Sequence, residues 1–211
     1  MKRVILAIIA LSCISTMKAQ QKIEKHLSYS DGKAIHLNLQ IADSIRIRTW
    51  EKNEVLALAS VSINDNKDNE AYRVSFDEEA DRIGVNADFS RDYFRGKNNC
   101  RVESDIYWQV FIPDRANFSV ETINADVTIT GNTDKMKVKS ISGDIDLAVP
   151  ATKPADLEFS TISGTVYSNL NLSPERFNKS IPSRIKEKLN NGGPLIQLET
   201  ISGNIFFRKS D

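Results

Sequence analysis

The sequence predicts an all-β fold: a parallel β-helix-like solenoid with a more irregular N-terminal half and one short helical insertion. Two observations lead to this prediction. Apolar residues alternate with polar ones over most of residues 35–130, and a ten-residue pattern recurs four times after residue 117. Alternation with period two places successive side chains on opposite faces of a strand. Recurrence near every twenty residues is typical of stacked coils that bury their apolar side chains against their neighbours.

Residues 1–19 are predicted to be a signal peptide. The basic pair Lys2-Arg3 precedes an apolar run that is shorter than the roughly 20 residues needed to cross a bilayer. Ala19 offers the small residue that signal peptidase requires. Acylation of Cys13, as in a lipoprotein, and a buried N-terminal helix are the alternatives. Residues 20–211 then form a single domain, exported to the periplasm or the cell surface.

The composition is that of a globular protein, with 40% hydrophobic and 27% charged residues. The 28 basic and 28 acidic residues cancel, which gives no electrostatic reason to expect a nucleic-acid partner. Cleavage after Ala19 removes three basic residues and leaves about three net negative charges. It also leaves Cys100 as the remaining cysteine, in a polar loop, where a bystander role is favoured over a reactive or metal-binding thiol. No second apolar segment of membrane length follows, so we expect no transmembrane span in the mature chain.

The N-terminal half contains six predicted strands, separated by turns rich in Asp, Asn and Gly. Five show alternation, and Val55–Val61 is apolar almost throughout, which predicts a strand buried on both faces. The alternating apolar residues are Ile35, Leu37, Leu39 and Ile41; Ile45 and Ile47; Tyr72, Val74 and Phe76; Ile83, Val85, Ala87 and Phe89; and Ile106, Trp108, Val110 and Ile112.

The C-terminal half repeats one pattern: apolar, x, apolar, x, Thr/Ser, Ile, Ser/Asn, Gly/Ala, x, Val/Ile. The repeats lie near 118–129, 136–147, 157–168 and 196–207. Their central isoleucines are Ile123, Ile141, Ile162 and Ile201, so the steps are 18, 21 and 39 residues. Because the last step equals the sum of the first two, we predict one rung enlarged by an insertion, residues 173–194.

The parity of the apolar positions changes within each repeat, which predicts a bend near the Thr/Ser that turns the following isoleucine inward. Small residues recur after the bend, where a side chain would clash with the next rung; they are Ala125, Gly143, Gly164 and Gly203. The hydroxyls before it are predicted to bond to one another along the solenoid axis; they belong to Thr122, Ser140, Thr161 and Thr200. A binding role for the Ser-Gly corner is the alternative.

The insertion departs from the strand pattern. A short helix is predicted from Ser180 or Ser183 through Leu189, with Pro182 near its first turn and Gly192-Gly193 at its end. It would bury Ile181, Ile185 and Leu189. Its expected role is to cover an exposed strand or core edge, and a partner-binding flap is the alternative.

These features together resemble the bacterial putative adhesin domains, a family of exported proteins common in the Bacteroidetes. The features that match are the exported N-terminus, Ser44–Trp50, Asn53–Leu58, Val110–Pro113, the serial Ile-Ser-Gly-Asp/Asn motifs, and the closing Gly192–Ile205. The resemblance covers residues 22 to 209. It implies a β-rich solenoid with no established enzymatic activity and therefore no catalytic residues to assign.

The sequence shows no catalytic, cofactor-binding or metal-binding pattern. His26 and His36 are the two histidines, and no Cys/His spacing resembles a zinc site. The repeat places Asp126, Asp144 and Asn204 at one position, with Asp146 nearby, where they could offer oxygens to calcium. Solvated turn residues are the favoured interpretation, because the nonapeptide pattern of calcium-binding β-rolls is absent.

We therefore expect an exported, non-catalytic binding or adhesion module for an unknown glycan or an envelope or host protein. A periplasmic structural or envelope-stress component is the first alternative, and a carbohydrate-active β-helix enzyme is the second. A row of exposed rings would favour a glycan, because sugars stack on aromatic side chains. The candidate rings are Tyr93, Phe94, Tyr107, Tyr167 and Phe206.

Overall fold

A computed structural model describes residues 20–95, 101–170, 172 and 183–210. The predicted signal peptide, Cys100 and residues 173–182 of the predicted insertion lie outside the described residues. The described chain forms these strands: β1 (Gln21–Ser28), β2 (Ala34–Leu39), β3 (Ile41–Trp50), β4 (Glu54–Ile63), β5 (Tyr72–Glu78), β6 (Arg82–Phe89), β7 (Ser104–Pro113), β8 (Asn117–Thr130), β9 (Met136–Ser142), β10 (Ile145–Val149), β11 (Ala155–Ser163), β12 (Val166–Ser168), β13 (Ser183–Leu189), β14 (Leu195–Ser202) and β15 (Ile205–Lys209). A single 3₁₀ turn, Asn69–Ala71, precedes β5.

The strands form two layers that share the long strand β8. Sheet I has the order β5-β6-β2-β8-β9-β14-β11-β13, and sheet II has the order β1-β4-β7-β3-β8-β10-β15-β12. The first half of β8 pairs with β2 and β9, and its second half pairs with β3 and β10. The core lies between the layers, where the ring of Phe159 on β11 packs 5.2 Å from that of Phe207 on β15.

Each pass of the chain from sheet I to sheet II makes one rung. Six rungs stack in the order β6/β7, β2/β3, β8, β9/β10, β14/β15 and β11/β12, and every pair between them is parallel. Antiparallel strands complete the two ends of the stack: β5, β4 and β1 at one end and β13 at the other. The all-β prediction is confirmed, and the N-terminal half contributes two rungs of parallel strands, with a register shift between Ile41 and Ser44 where β3 pairs with β8.

The rungs do not stack in chain order, which differs from the predicted solenoid. Rung 195–209 lies between rungs 136–149 and 155–168, because β14 pairs with both β9 and β11. The step of 39 residues from Ile162 to Ile201 contains strand β13, after which the chain returns to this inner position in the stack. Rung 34–50 is likewise placed between two rungs that follow it in sequence.

The predicted helix over residues 183–189 is wrong, because this segment is strand β13. It pairs antiparallel with β11, matching Ile185 to Phe159 and Leu189 to Ala155. Ile185 and Leu189 are buried as expected. Their spacing of four residues puts two side chains on one face of a helix or of a strand, so period alone does not distinguish the two. As β13 covers the edge of β11, the expected covering role is confirmed for this part of the insertion.

Two finer strand predictions also need correction. Strand β4 is buried on one face only: Leu56 and Leu58 are half-buried on the outer face of sheet II, which none of the described strands covers. The run predicted from Ile35 to Ile41 ends as a strand at Leu39, and Ile41 begins the strand of the other sheet.

The corners of four rungs stack as the repeat predicts. In spatial order the column is Ala125, Gly143, Gly203 and Gly164. A Cβ at Gly143 would collide with the carbonyl oxygen of Ala125, one at Gly203 with that of Gly143, and one at Gly164 with that of Gly203. Only glycine allows backbones to approach this closely.

A buried hydrogen-bond relay fixes sheet I against sheet II at the β5 end. The Tyr72 hydroxyl donates to the carbonyl of Ile41 at 2.9 Å and accepts from the Trp108 indole N–H at 3.1 Å. Burial raises the pKa of Tyr72 to about 12, against the smaller opposing effect of the Trp108 hydrogen bond. The neutral phenol is therefore the form that the fold requires.

Tyr72→Phe is expected to lower the free energy of unfolding by about 1–3 kcal/mol at pH 8, because the Ile41 carbonyl and the Trp108 indole each lose a partner. The pKa of Tyr72 is near 10 in the unfolded chain and higher in the folded protein, so the neutral phenol stabilises the fold fully below pH 10. This stabilisation is lost as the pH rises through 12. The wild type should thus lose roughly 2–3 kcal/mol more than the variant between pH 9 and pH 12. Urea unfolding of both proteins across this range is the measurement. Parallel pH profiles would contradict the relay.

Candidate functional site

Three of the five candidate aromatic residues share one surface. Tyr107, Tyr167 and Phe206 point outward from sheet II, since their neighbours Trp108, Val166 and Phe207 are buried. Tyr93 and Phe94 lie elsewhere: both rings pack on Phe89, with centroids 5.5 Å away, and the Tyr93 hydroxyl donates to Asp68. The outer face of sheet II is therefore where the structure gathers the predicted rings.

One line of side chains crosses this face from β7 to the edge strand β12, and we call it the sheet II row. Cross-strand register aligns its members in the order Gln109, Arg46, Thr128, Asp146, Phe206 and Tyr167. Five strand spacings of roughly 4.8 Å make the row about 24 Å long. Six rungs thus supply one side chain each to this strip, in which Arg46 and Tyr167 are exposed and the other four are half-buried.

The aromatic end of the sheet II row is a stacked pair. The Tyr167 and Phe206 rings lie 5.2 Å apart with 12° between their planes, and Tyr167 is 50% exposed. Next to them, both oxygens of Asp146 accept hydrogen bonds from Arg208, from Nε at 2.8 Å and from an Nη at 2.5 Å. This bidentate pair holds a carboxylate and a guanidinium beside the rings.

The other end of the row opens into a shallow depression of about 350 Å³. Arg46 and Gln109 line it together with Tyr107, which is 46% exposed, and with Lys22 and Leu58 from the antiparallel strands. The depression therefore combines cationic and amide donors with an aromatic face and an aliphatic one.

The aspartates suggested for calcium have a different role. Asp126 accepts the backbone N–H of Asp144 at 2.9 Å, Asp144 accepts that of Asn204 at 2.6 Å, and Asn204 accepts that of Thr165 at 3.1 Å. Each side chain thus satisfies a corner amide of the next rung. Among the described residues, no group of three or more His, Cys, Asp or Glu side chains could hold a metal ion.

The buried hydroxyls do not bond to one another, contrary to the prediction. Thr122, Thr161 and Thr200 donate to backbone carbonyls of the adjacent rung, those of Gln40, Gly203 and Gly143, at 3.0–3.3 Å. Ser140 donates within its own rung, to the carbonyl of Ser142 at 3.1 Å. The reason is burial: the corner leaves carbonyl oxygens away from water, and a buried acceptor needs a donor.

The four repeat isoleucines are exposed, whereas the sequence predicted them to face inward. In stacking order the exposed fractions are 40% for Ile123, 48% for Ile141, 46% for Ile201 and 52% for Ile162. We call this column the isoleucine ladder. It lies where each rung leaves sheet I and lines a groove of about 450 Å³.

Both histidines are exposed. His26 lies on β1 between two carboxylates, and the hydrogen bonds that its ring donates to Glu54 and, with a smaller effect, to Glu24 raise its pKa. His36 is exposed on β2, with its ring 2.9 Å from the Ser119 hydroxyl. Cys13 and Cys100 lie outside the described residues. In the part of the chain that the structure describes, no helix is long and apolar enough to cross a membrane.

Comparison with known proteins identifies related sequences and folds. A family model described as Toastrack DUF4097 matches residues 26–207. The structure of a putative cell adhesion protein from Clostridium sporogenes ATCC 15579 is 9% identical, with a TM-score of 0.55 over 91% of this chain and 100% of that chain. That likeness shows a shared fold. A search of curated proteins finds no match.

Two further structures match more loosely, and both are from Parabacteroides distasonis ATCC 8503. One is a putative lipid binding protein, 10% identical, with a TM-score of 0.26 over 90% of this chain and 97% of that chain. The other is a putative adhesin, 11% identical, with a TM-score of 0.24 over 92% and 98%. TM-scores this low carry no argument about this protein.

Proposed function

The chain belongs to the Toastrack DUF4097 family, and on that premise we propose that it is an exported, non-catalytic module that binds an extended carbohydrate chain along the sheet II row. The observation that carries the proposal is the stacked pair of the exposed Tyr167 and the half-buried Phe206 at one end of a polar strip. Export is supported by the signal-peptide pattern of residues 1–19.

The chemistry of the row suits a sugar polymer. The C–H face of a pyranose ring packs against an exposed aromatic ring, while its hydroxyls need both donors and acceptors within reach. Asp146 and Thr128 offer acceptors, and Arg208, Arg46 and Gln109 offer donors along the same line. A strip about 24 Å long would contact several sugar units at once.

The same residues favour binding over cleavage. Glycoside hydrolysis uses two carboxyl groups placed on either side of the scissile bond. The sheet II row contains one carboxylate, Asp146, and it is ion-paired with Arg208. Asp126 and Asp144 each use one carboxylate oxygen to accept a hydrogen bond from a backbone N–H at the corner of the next rung. A purely structural role in the envelope would not explain the exposed Tyr167 ring stacked on Phe206, so we place it second.

Tyr167→Ala is expected to weaken carbohydrate binding at least tenfold while leaving the unfolding midpoint unchanged, because the ring is half-exposed at the edge of sheet II. The measurement is a printed array of bacterial and host oligosaccharides, followed by calorimetric titration of the best-bound one. Failure of the wild type to bind any oligosaccharide would overturn the proposal.

Phe94→Ala is the matched control. Its ring is also exposed, at 44%, but it lies in the Phe89 and Tyr93 cluster away from the sheet II row. It should bind like the wild type. Equal losses in both variants would point to a general effect of removing exposed rings and would count against the row.

A further inference from the structure

The isoleucine ladder is an apolar stripe that the proposed carbohydrate site does not use. It joins four rungs at the corner between the sheets and spans three strand spacings, about 14 Å. Four of the seven exposed large hydrophobic side chains in the described residues belong to it. A contiguous exposed apolar stripe with a polar border is typical of a protein–protein contact.

The two borders of the ladder differ in charge. On the sheet II side lie neutral polar residues at each rung: Asn124, Ser142, Ser202 and Ser163. On the sheet I side, cross-strand register gives the order Glu121, Lys139, Glu199, Ser160 and Arg184. The charges on this side therefore alternate: negative, positive, negative, neutral, positive.

One alignment makes this order self-complementary while it also pairs all four isoleucines. From it we infer that the isoleucine ladder is the contact of a two-fold symmetric, antiparallel homodimer, with the axis between rungs 136–149 and 195–209. The axis would set Ile141 opposite Ile201 of the second copy, and Ile123 opposite Ile162 of the second copy. The same axis sets each Lys139 opposite a Glu199, so both apolar and charged groups match.

Other alignments fit less well. Moving the axis by half a rung in one direction sets Lys139 opposite itself, and in the other direction it sets Glu199 opposite itself. Either shift also leaves one isoleucine of each copy without a partner. A parallel dimer would place the charged border against the neutral Ser and Asn border, which forms no ion pair. A full-rung shift toward β8 opposes Glu121 and Lys139 but leaves two isoleucines of each copy without a partner. Like charges opposed across an interface are costly, so charge selects the direction, and charge together with the pairing of the isoleucines selects the register.

A contact this short is smaller than the roughly 800 Å² per partner of a standard stable interface. We therefore expect a dissociation constant in the micromolar range or weaker. This predicts an average mass that rises with concentration rather than a permanent dimer.

Charge reversal tests the alignment by sedimentation velocity of the purified protein at concentrations up to about 1 mM. K139E and E199K alone should each raise the dimer dissociation constant at least tenfold, because each homodimer then opposes two like-charged pairs. An equimolar mixture of the two variants should recover dimer formation, since the heterodimer opposes opposite charges at both positions. Within one chain, Lys139 and Glu199 also form an ion pair of 3.7 Å, which either substitution removes. This ion pair is lost in the mixture as well, so its loss cannot explain a recovery of dimer formation there.

K137E is the matched control, because it changes the charge equally on the same strand but outside the groove. It should dimerise like the wild type. Ile141→Ser should weaken the dimer with the far-UV spectrum unchanged. A wild type that remains monomeric at 1 mM, or a mixture that behaves as the sum of its two components, would overturn the inference. Neither outcome bears on the carbohydrate site, which lies on the other sheet.

Discussion

Replacing Gly164 with valine is expected to lower the free energy of unfolding by about 3 kcal/mol or more. The Cβ would fall on the carbonyl oxygen and carbon of Gly203 and would approach the Thr161 hydroxyl to 3.0 Å. A backbone carbonyl in a paired rung cannot move aside as a flexible side chain can. Urea unfolding followed by circular dichroism measures the change.

Thr165→Val provides the comparison for this variant. It places valine at the next residue, which is exposed, and should change stability by less than about 0.5 kcal/mol. If Gly164→Val unfolds at the wild-type midpoint while it keeps the wild-type spectrum, the close approach of the stacked corners is refuted.

The glycine column could be predicted from sequence, whereas the order of the rungs could not. A small residue at one repeat position indicates that the backbones of adjacent rungs approach each other there, whichever rung is the neighbour. The four repeat windows have nearly the same pattern, so any of them fits beside any other. This is why the sequence predicts the strands β14 and β11 but not that β14 separates β11 from β9. The sheet II row depends on the order of the rungs, so it could not be predicted from the sequence either.

The isoleucine ladder was missed because the bend was placed near the Thr/Ser, two to three positions before the Ser-Gly corner where the chain turns. In β9, alternation continues through buried Ser140, so Ile141 points outward. The chain turns after it, at the Ser-Gly corner, and Ile145 is buried again. Placing the bend at the glycine, which tolerates unusual backbone dihedrals, would have predicted the exposed ladder. Gly143, with φ of 130°, adopts such a conformation.

Phe207→Ala and Phe206→Ala are expected to differ sharply, although the residues are neighbours on β15. Phe207 is fully buried and packs on Phe159 of the opposite sheet, so its removal should cost about 3–5 kcal/mol. Phe206 is half-buried on the outer face against Tyr167, and its removal should cost less than about 1 kcal/mol while weakening carbohydrate binding.

The two variants remove the same type of side chain from opposite faces of one strand. Chemical denaturation of both gives the loss of unfolding free energy for each, which shows which ring faces the core. Equal losses of stability would mean that the parity of β15 is wrong. The register that aligns Asp146 with Phe206 also aligns Leu147 with Phe207. Equal losses would therefore contradict both the packing of Phe207 in the core and the place of Phe206 in the sheet II row. Both follow from the same alternation of side chains along β15.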